Sequence, residues 1–143
     1  MFIKIINTDN TKATILIRLM VGVVFVSEGI QKLLFPAVRG AGRFEKIGLP
    51  YPDILGSFVG TLEIICGLMI LIGLFTRLAN VPLFIIIVVA IATTKADLFA
   101  NQGFWEMMHG SRTDWAMLLG SVFLFIKGGG FGSIDRKIMN TRK

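Results

Sequence analysis

The chain has few of the residues that redox and metal enzymes use, with one cysteine, Cys66, and one histidine, His109, among 143 residues. A single thiol forms no internal disulfide and no CxxC couple, which excludes thiol–disulfide exchange by the chain alone. A b-type haem with two histidine ligands from one chain is also excluded. His109 follows Met107 and Met108, but adjacent side chains do not converge on one ion, so we expect no metal site.

The sequence also lacks the common nucleotide and hydrolase motifs and has little charge. It has no P-loop, no GxGxxG segment before a predicted helix and no serine–histidine pairing. Charged residues make up 17% of the chain and hydrophobic residues 54%, with a mean hydropathy of +0.74. A soluble domain of this length needs more polar surface. The net charge of +6 comes from scattered loop and tail residues, so we expect no nucleic-acid partner.

Long hydrophobic runs indicate that the chain crosses a membrane. Residues 54–75 carry one charge, Glu63, and at ~1.5 Å per residue they reach the ~30 Å thickness of a bilayer core. The pattern predicts one all-α domain over residues 1–143, a polytopic membrane protein with four transmembrane helices in an antiparallel bundle. The spans are predicted at about 13–34, 53–75, 78–95 and 113–130. The fourth is long enough only if Lys127 extends to the membrane surface.

The positions of Lys and Arg predict the orientation. Eight basic residues fall on one side of the spans, namely Lys4, Lys12, Arg77, Lys127, Arg136, Lys137, Arg142 and Lys143. Four fall on the other side, namely Arg39, Arg43, Lys46 and Arg112. Because the excess marks the cytoplasmic side, we expect a bacterial-type cytoplasmic (inner) membrane with both termini inside. The loops 35–52 and 95–113 then face outward.

Charged side chains within the predicted spans indicate a site. A carboxylate near the bilayer midplane costs at least ~2.5 kcal/mol unless it is paired, protonated or hydrated. Glu63 lies at that depth, and we expect it to face the bundle interior with Arg18, or alternatively Lys32, as its neighbour. The predicted intramembrane polar network comprises Arg18, Glu28, Lys32, Glu63, Lys95 and Asp114. All of these except Arg18 are predicted to line an outward-opening ligand pocket.

Glycines share helix faces with these charges. Spacings of three and four residues place the predicted packing glycines on two faces, namely Gly22, Gly29, Gly56, Gly60 and Gly67. Two interpretations stay open. The charges form an ion-pair network that holds the bundle together, or Glu63 or Glu28 handles a proton, an ion or a polar ligand.

The segment between the third and fourth spans carries further candidates. Trp105 and Trp115 are expected at the lipid headgroups, where tryptophan is enriched. Trp105 and His109 are expected in an outer loop above the polar network.

The ordered motifs RLMVGVVFVSEGIQKLLF, FEKIGLP and VGTLEIICGLMILIGLFTRLA resemble the DoxX family (DoxX/DoxD-like) of small four-helix membrane proteins. The matching positions are Arg18, Gly22, Phe25, Gly29, Lys32, Leu33, Gly48, Leu49, Pro50, Glu63, Gly67, Gly73, Thr76, Arg77 and Ala79. The resemblance covers residues 15–95 well. Many members have a histidine where this chain has Glu28, so a role of that histidine does not carry over.

The resemblance implies an accessory or anchoring subunit of a quinone-linked or stress-response membrane complex. Such a subunit is not catalytic on its own, has no covalently bound cofactor, and has quinone as its candidate ligand. Its expected partners are membrane lipids, a soluble or membrane redox protein, and a second copy of the chain. Two alternatives remain. The first is a small proton-coupled carrier using Glu63, and the second is a purely structural or lipid-interacting protein.

Overall fold

The computed structural model describes residues 6–8 and 10–141, and all regular secondary structure in these ranges is helical. The longer helices are α1 (Thr14–Leu34), α3 (Pro52–Ile72), α4 (Thr76–Ala90) and α7 (Arg112–Lys127). The shorter ones are α2 (Ala41–Lys46), α5 (Ala96–Gln102), α6 (Phe104–Gly110) and α8 (Ile134–Thr141). A π-helical turn, Ile91–Lys95, joins α4 to α5.

Three helical stretches within the described ranges are long and apolar enough to cross a membrane. They are Thr14–Leu34, Pro52–Ile72 and Thr76–Gln102. The last one runs beyond the predicted end at residue 95, because no glycine or proline occurs between that residue and Gly103. Gly103, with φ 87°, ends the helix in a conformation that favours glycine. The expected loop 95–113 is therefore largely helical, as α5 and α6.

Helix α7 is shorter than the predicted fourth span. It has 16 residues, and at ~1.5 Å per residue it measures about 24 Å, less than the hydrocarbon core of a bilayer. It ends at Lys127 and not near residue 130, because Gly128 takes a φ of 72°. The structure thus contains three membrane-length helices among the described residues, and α7 packs beside them.

Neighbouring helices run antiparallel. A Cβ added at Gly29 of α1 would lie 2.5 Å from the carbonyl oxygen of Gly60 on α3, so the two backbones touch. Asn80 of α4 donates a 2.7 Å hydrogen bond to the carbonyl of Ser121 on α7. At the other end of this helix pair, Lys95 contacts Asp114.

The segments before α1 and after α7, as far as the structure describes them, gather at the end of the bundle that contains the α3–α4 turn. Asp135 of α8 accepts hydrogen bonds from the turn, and the ring of Phe131 lies near the cationic groups of Lys12 and Arg136. Arg77 also lies here, with a hydrogen bond to the carbonyl of Ile126. Lys12, Arg77 and Arg136, three of the basic residues predicted on the cytoplasmic side, therefore lie at this end of the bundle. Lys4, Arg142 and Lys143 of that group lie outside the described residues.

Candidate functional site

Glu63 lies in the interface between α1 and α3, where its carboxylate contacts Lys32. Glu63 Oε2 is 2.7 Å from Lys32 Nζ, and the Glu63 side chain is 2% exposed. Lys32 Nζ also lies 3.6 Å from Oε2 of Glu28, one turn earlier on α1. Two carboxylates therefore share one ammonium group, and Glu28, with its side chain 38% exposed, is the accessible member.

The expected pairing of Glu63 with Arg18 is wrong, and side-chain direction gives the reason. Helical side chains lean toward the N-terminus of their own helix. Because α1 and α3 run antiparallel, Lys32 and Glu63 lean toward each other, whereas Arg18 leans away from Glu63. Lys32, the alternative neighbour, is the partner.

Arg18 binds main-chain carbonyls at the opposite end of α3. Its Nε donates to Ile70 at 3.0 Å, its Nη2 to Leu71 at 2.6 Å, and its Nη1 to Gly129 at 3.0 Å. The last carbonyls of a helix have no partner within the helix. The Ile70 carbonyl also accepts a 3.0 Å hydrogen bond from the amide of Gly73, and the guanidinium adds a donor there and to the carbonyl of Leu71. Arg18 therefore fastens α1 to the end of α3 and to the segment after α7, apart from the other predicted charges.

A second ion pair lies where the π-helical turn meets α7. Lys95 Nζ is 3.1 Å from Asp114 Oδ2 and donates a 2.6 Å hydrogen bond to the carbonyl of Gly110. Lys95 is the last residue of the π-helical turn, and such turns are frequent at functional sites. The pair ties α4, α6 and α7 together at one end of the bundle.

The five predicted packing glycines are all buried, namely Gly22, Gly29, Gly56, Gly60 and Gly67. Four of them lie in the α1–α3 contact, where Gly22 faces Gly67 and Gly29 faces Gly60. Gly56 packs elsewhere, because a Cβ there would lie 2.7 Å from the main-chain nitrogen of Ala41 on α2. The glycines therefore bring both α1 and α2 against α3.

A cavity of about 610 Å³ lies between α1, α3, α4 and α7. Five of the six predicted network residues line it, namely Glu28, Lys32, Glu63, Lys95 and Asp114. Its remaining walls are mostly apolar, with Phe25, Leu62 and Ile86 among them. Ligand pockets have roughly 300–1,000 Å³ and combine apolar walls with a few polar groups, so this cavity has the size and the lining of one.

The cavity occupies one half of the bundle. Toward the α3–α4 turn, Val21, Ile70, Leu83 and Leu124 form a fully buried apolar core. None of these four side chains is part of the cavity lining in the described chain. The polar groups therefore line a pocket that is closed on the side of the core.

Two arginines that the sequence placed only among the outer loop cations also line the cavity. These are Arg39 and Arg43, and the Nη2 of Arg43 lies 3.4 Å from the hydroxyl of Thr94. Arg43 sits on α2, a helix of six residues that carries no recognisable periodicity. The sequence therefore gave no signal that these arginines differ from other surface cations.

Trp105 and His109 do not line the cavity. Both lie on α6 and not in a loop, and both are exposed. The Nε2 of His109 is 3.0 Å from Nη1 of Arg112. Anchoring of Trp105 at the membrane surface stays a prediction.

Sequence reasoning missed Asp135, a buried carboxylate that caps α4. Its Oδ1 accepts a 2.7 Å hydrogen bond from the amide of Phe75, and its Oδ2 accepts a 2.9 Å bond from the amide of Thr76. A carboxylate at a helix N-terminus also interacts favourably with the helix dipole. Asp135 lies beyond the last predicted span, so hydropathy alone did not draw attention to it. Its role is structural and distant from the cavity lining.

The cavity offers a defined set of chemical groups. Lys32, Arg43 and Lys95 carry hydrogen-bond donors, and Glu28 and Glu63 carry acceptors. Within the described residues, no three His, Cys, Asp or Glu side chains are placed to hold a metal ion. Together with Asp114, the lining therefore offers both donors and acceptors to a polar group, beside apolar walls.

Membrane-length apolar helices packed through glycines, with a mostly apolar cavity between them that carries buried charges, define a small polytopic membrane protein. The model of the DoxX family matches residues 13–96, which is more than half of the chain. The chain therefore belongs to the DoxX family.

Two relatives are similar over nearly their full length. The uncharacterized membrane protein Rv3486 of Mycobacterium tuberculosis is 44% identical over 141 residues, covering 94% of this chain and 86% of the relative. CatD of Bacillus subtilis, whose name proposes an oxidoreductase, is 28% identical over 131 residues, covering 91% of this chain and 90% of the relative. No solved structure matches the chain.

Proposed function

We propose that this DoxX-family protein crosses the cytoplasmic membrane four times, with α7 as the fourth span and both termini inside. Two contacts support this, since α7 accompanies α4 and the π-helical turn from Arg77–Ile126 to Lys95–Asp114. These contacts are 12 residues apart on α7, which corresponds to about 18 Å of helix. Lys127 at the end of α7 extends the span by reaching to the membrane surface.

The proposed function of the cavity is to bind the ring of a lipid-soluble quinone. The observation that carries the proposal is the cavity of about 610 Å³ that holds a buried Lys32–Glu63 pair against apolar walls. A quinone ring has two carbonyl oxygens, which accept hydrogen bonds from ammonium and guanidinium groups. Lys32 and Arg43 supply such donors from α1 and α2, and the apolar walls accommodate the ring faces.

The protein would act as an accessory subunit of a membrane redox complex and would not transfer electrons on its own. Its single cysteine and single histidine leave the chain without a redox couple of its own. The partner complex would then supply electrons to the bound quinone or withdraw them from the quinol. The name of CatD, which proposes an oxidoreductase, agrees with a link to redox chemistry.

The alternative function, a small proton-coupled carrier that uses Glu63, fits the structure less well. A carrier needs access to its site from both sides of the membrane, whereas the apolar core of Val21, Ile70 and Leu83 packs on one side of the cavity. A pocket that opens toward one side or toward the lipid fits a binding site better than a transport path.

Quinone binding by the purified protein in lipid nanodiscs tests the proposal. We expect saturable binding above that of empty nanodiscs, weakened ~10-fold or more (about 1.4 kcal/mol) when Glu63→Gln and Lys32→Met are combined. Asp97→Asn, an exposed carboxylate outside the cavity, is the matched control and should bind as the parent does. Because the double variant removes a buried ion pair, its thermal unfolding is measured in parallel, and Arg43→Gln provides a second, half-exposed cavity variant.

Unchanged affinity in a folded double variant, together with unchanged affinity in Arg43→Gln, would refute the assignment of the site. Absence of saturable binding to the parent protein would refute the quinone itself. In that case the Lys32–Glu63 pair keeps only its role in holding α1 against α3.

A further inference from the structure

The cavity also opens sideways, along the seam between α3 and α4. Phe58 of α3 lines the cavity and is 60% exposed, while Ile85 of α4 lines it and is 55% exposed. Val89, one turn further along α4, has the same two properties. Because α3 and the helical stretch Thr76–Gln102 that begins with α4 are long enough to cross a membrane, the exposed part of these side chains is expected to face lipid.

The seam lies far from the turn that joins the two helices. Near the turn the helices are in contact, since Ile70 and Cys66 of α3 and Leu83 of α4 belong to one buried cluster. Phe58 and Val89 each lie about four helical turns away from the connection at Gly73–Phe75. The cavity therefore borders the parts of the two helices that are remote from their turn.

Two other sides of the cavity are partly covered, while its polar end is open, since Arg39 and Thr113 line the cavity there and are exposed. Toward α1, the facing glycines Gly29 and Gly60 leave no space between the backbones. Toward the outer end, Arg43 of α2 reaches Thr94, and Lys95 is tied to Asp114 of α7. The seam between Phe58, Ile85 and Val89 is thus the opening that connects the cavity to the lipid through apolar side chains.

We infer that the ligand enters this cavity from the bilayer through the α3–α4 seam, and that it is an amphiphile whose apolar chain stays in the seam while its polar ring reaches Lys32 and Glu63. This inference rests on the proposed quinone site and adds the route and the ligand class to it. A chain that leaves the ring at the seam passes between Phe58 and Ile85 directly into lipid. A water-soluble ligand has no need of such a passage.

Two variants at the seam test the inference by changing the passage and not the polar groups. Ile85→Trp adds a large ring at the border of the seam, and Phe58→Ala removes one. Val88→Trp is the matched control, because Val88 is 43% exposed on the neighbouring position of α4 and does not line the cavity. Each variant is assayed in nanodiscs with two probes, a benzoquinone carrying a long isoprenoid chain and the same ring without a chain.

We expect Ile85→Trp to weaken binding of the long-chain quinone ~10-fold or more, with a change below about twofold for the chainless ring, since only the former must occupy the seam. Phe58→Ala should raise the association rate of the long-chain quinone. Val88→Trp should leave the binding of both probes unchanged.

Equal effects of Ile85→Trp on both probes, or no effect on either, would overturn lateral entry while leaving the quinone site intact. The same holds if Val88→Trp weakens binding as much as Ile85→Trp does. Failure of both probes to bind the parent protein would instead refute the proposed function on which the inference rests.

Discussion

Lys32 lies over Gly60, with its Cβ 3.2 Å from the position that a Cβ would take at residue 60. The missing side chain at Gly60 gives the Lys32 stem room to cross from α1 toward α3 and place its ammonium 2.7 Å from Glu63. The buried ion pair therefore depends on the close packing that the missing side chain at Gly60 allows. A glycine in a membrane helix and a charge one turn away form one structural unit here.

Removing the Glu63 carboxylate should destabilise the fold. We expect Glu63→Ala to cost up to ~3–5 kcal/mol, since it leaves a buried ammonium short of its partner, and Glu63→Gln to cost less because the amide still accepts a hydrogen bond. Glu28 lies 3.6 Å from the Lys32 ammonium and remains as a second partner, which should reduce both costs. A double-mutant cycle with Lys32→Met, read from thermal unfolding in detergent, should give a coupling of roughly 0.5–3 kcal/mol. Additive effects of the two substitutions would show that the pair is not energetically coupled.

Adding a methyl group at Gly29 should disturb the α1–α3 contact. The new Cβ would lie 2.5 Å from the Gly60 carbonyl oxygen, a backbone atom that cannot move aside without shifting a helix. We expect Gly29→Ala to lower stability by about 1–3 kcal/mol. Gly110→Ala is the control, because the only close atom there is the end of the flexible Leu98 side chain. Equal melting temperatures for these two variants would contradict the packing role.

Asp135 should hold α8 against the α3–α4 turn. Asp135→Ala removes the carboxylate that accepts hydrogen bonds from the amides of Phe75 and Thr76, at an expected cost of about 1–3 kcal/mol. Phe75 has a φ of 45°, unfavourable for a residue with a side chain, so the turn depends on such support. Limited proteolysis should cut near residues 131–134 faster in this variant than in Asp97→Ala. Equal cleavage rates would exclude the capping role.

The sequence predicted the apolar helices and the residues of the cavity better than it predicted their partners. Hydropathy and glycine spacing placed α1 and α3, and depth along the helices grouped Glu28, Lys32, Glu63, Lys95 and Asp114. Depth along the helix axis favoured Arg18 over Lys32 as the partner of Glu63. This prediction was wrong because helical side chains lean toward the N-terminus of their helix, which directs Lys32 toward Glu63 and Arg18 away from it. Asp135 and Arg43 were missed because their roles depend on where short helices fold back onto the bundle. Such contacts have no local periodic signal.

The proposed orientation can be tested with single cysteines at two exposed positions. Cys66 is buried, so it should not react in the background. Asn101 lies on α5, at the end of the bundle that is expected to face outward, and Asn10 precedes α1 at the end expected to face the cytoplasm. In intact cells a membrane-impermeant maleimide should therefore modify Asn101→Cys, and it should modify Asn10→Cys only after permeabilisation. The reverse pattern would mean that the termini lie outside. Modification of both in intact cells would contradict an even number of spans.

Photolabelling maps the ligand most directly onto the proposed cavity. A long-chain quinone with a photoreactive group on its ring is cross-linked to the protein in nanodiscs, and the labelled peptides are identified by mass spectrometry. The account predicts labels within residues 55–63 and 85–95, displaced by excess unlabelled quinone and lost when Glu63→Gln and Lys32→Met are combined. Labels spread over the lipid-facing side of α1, such as Leu16 and Val23, and insensitive to both treatments, would contradict it.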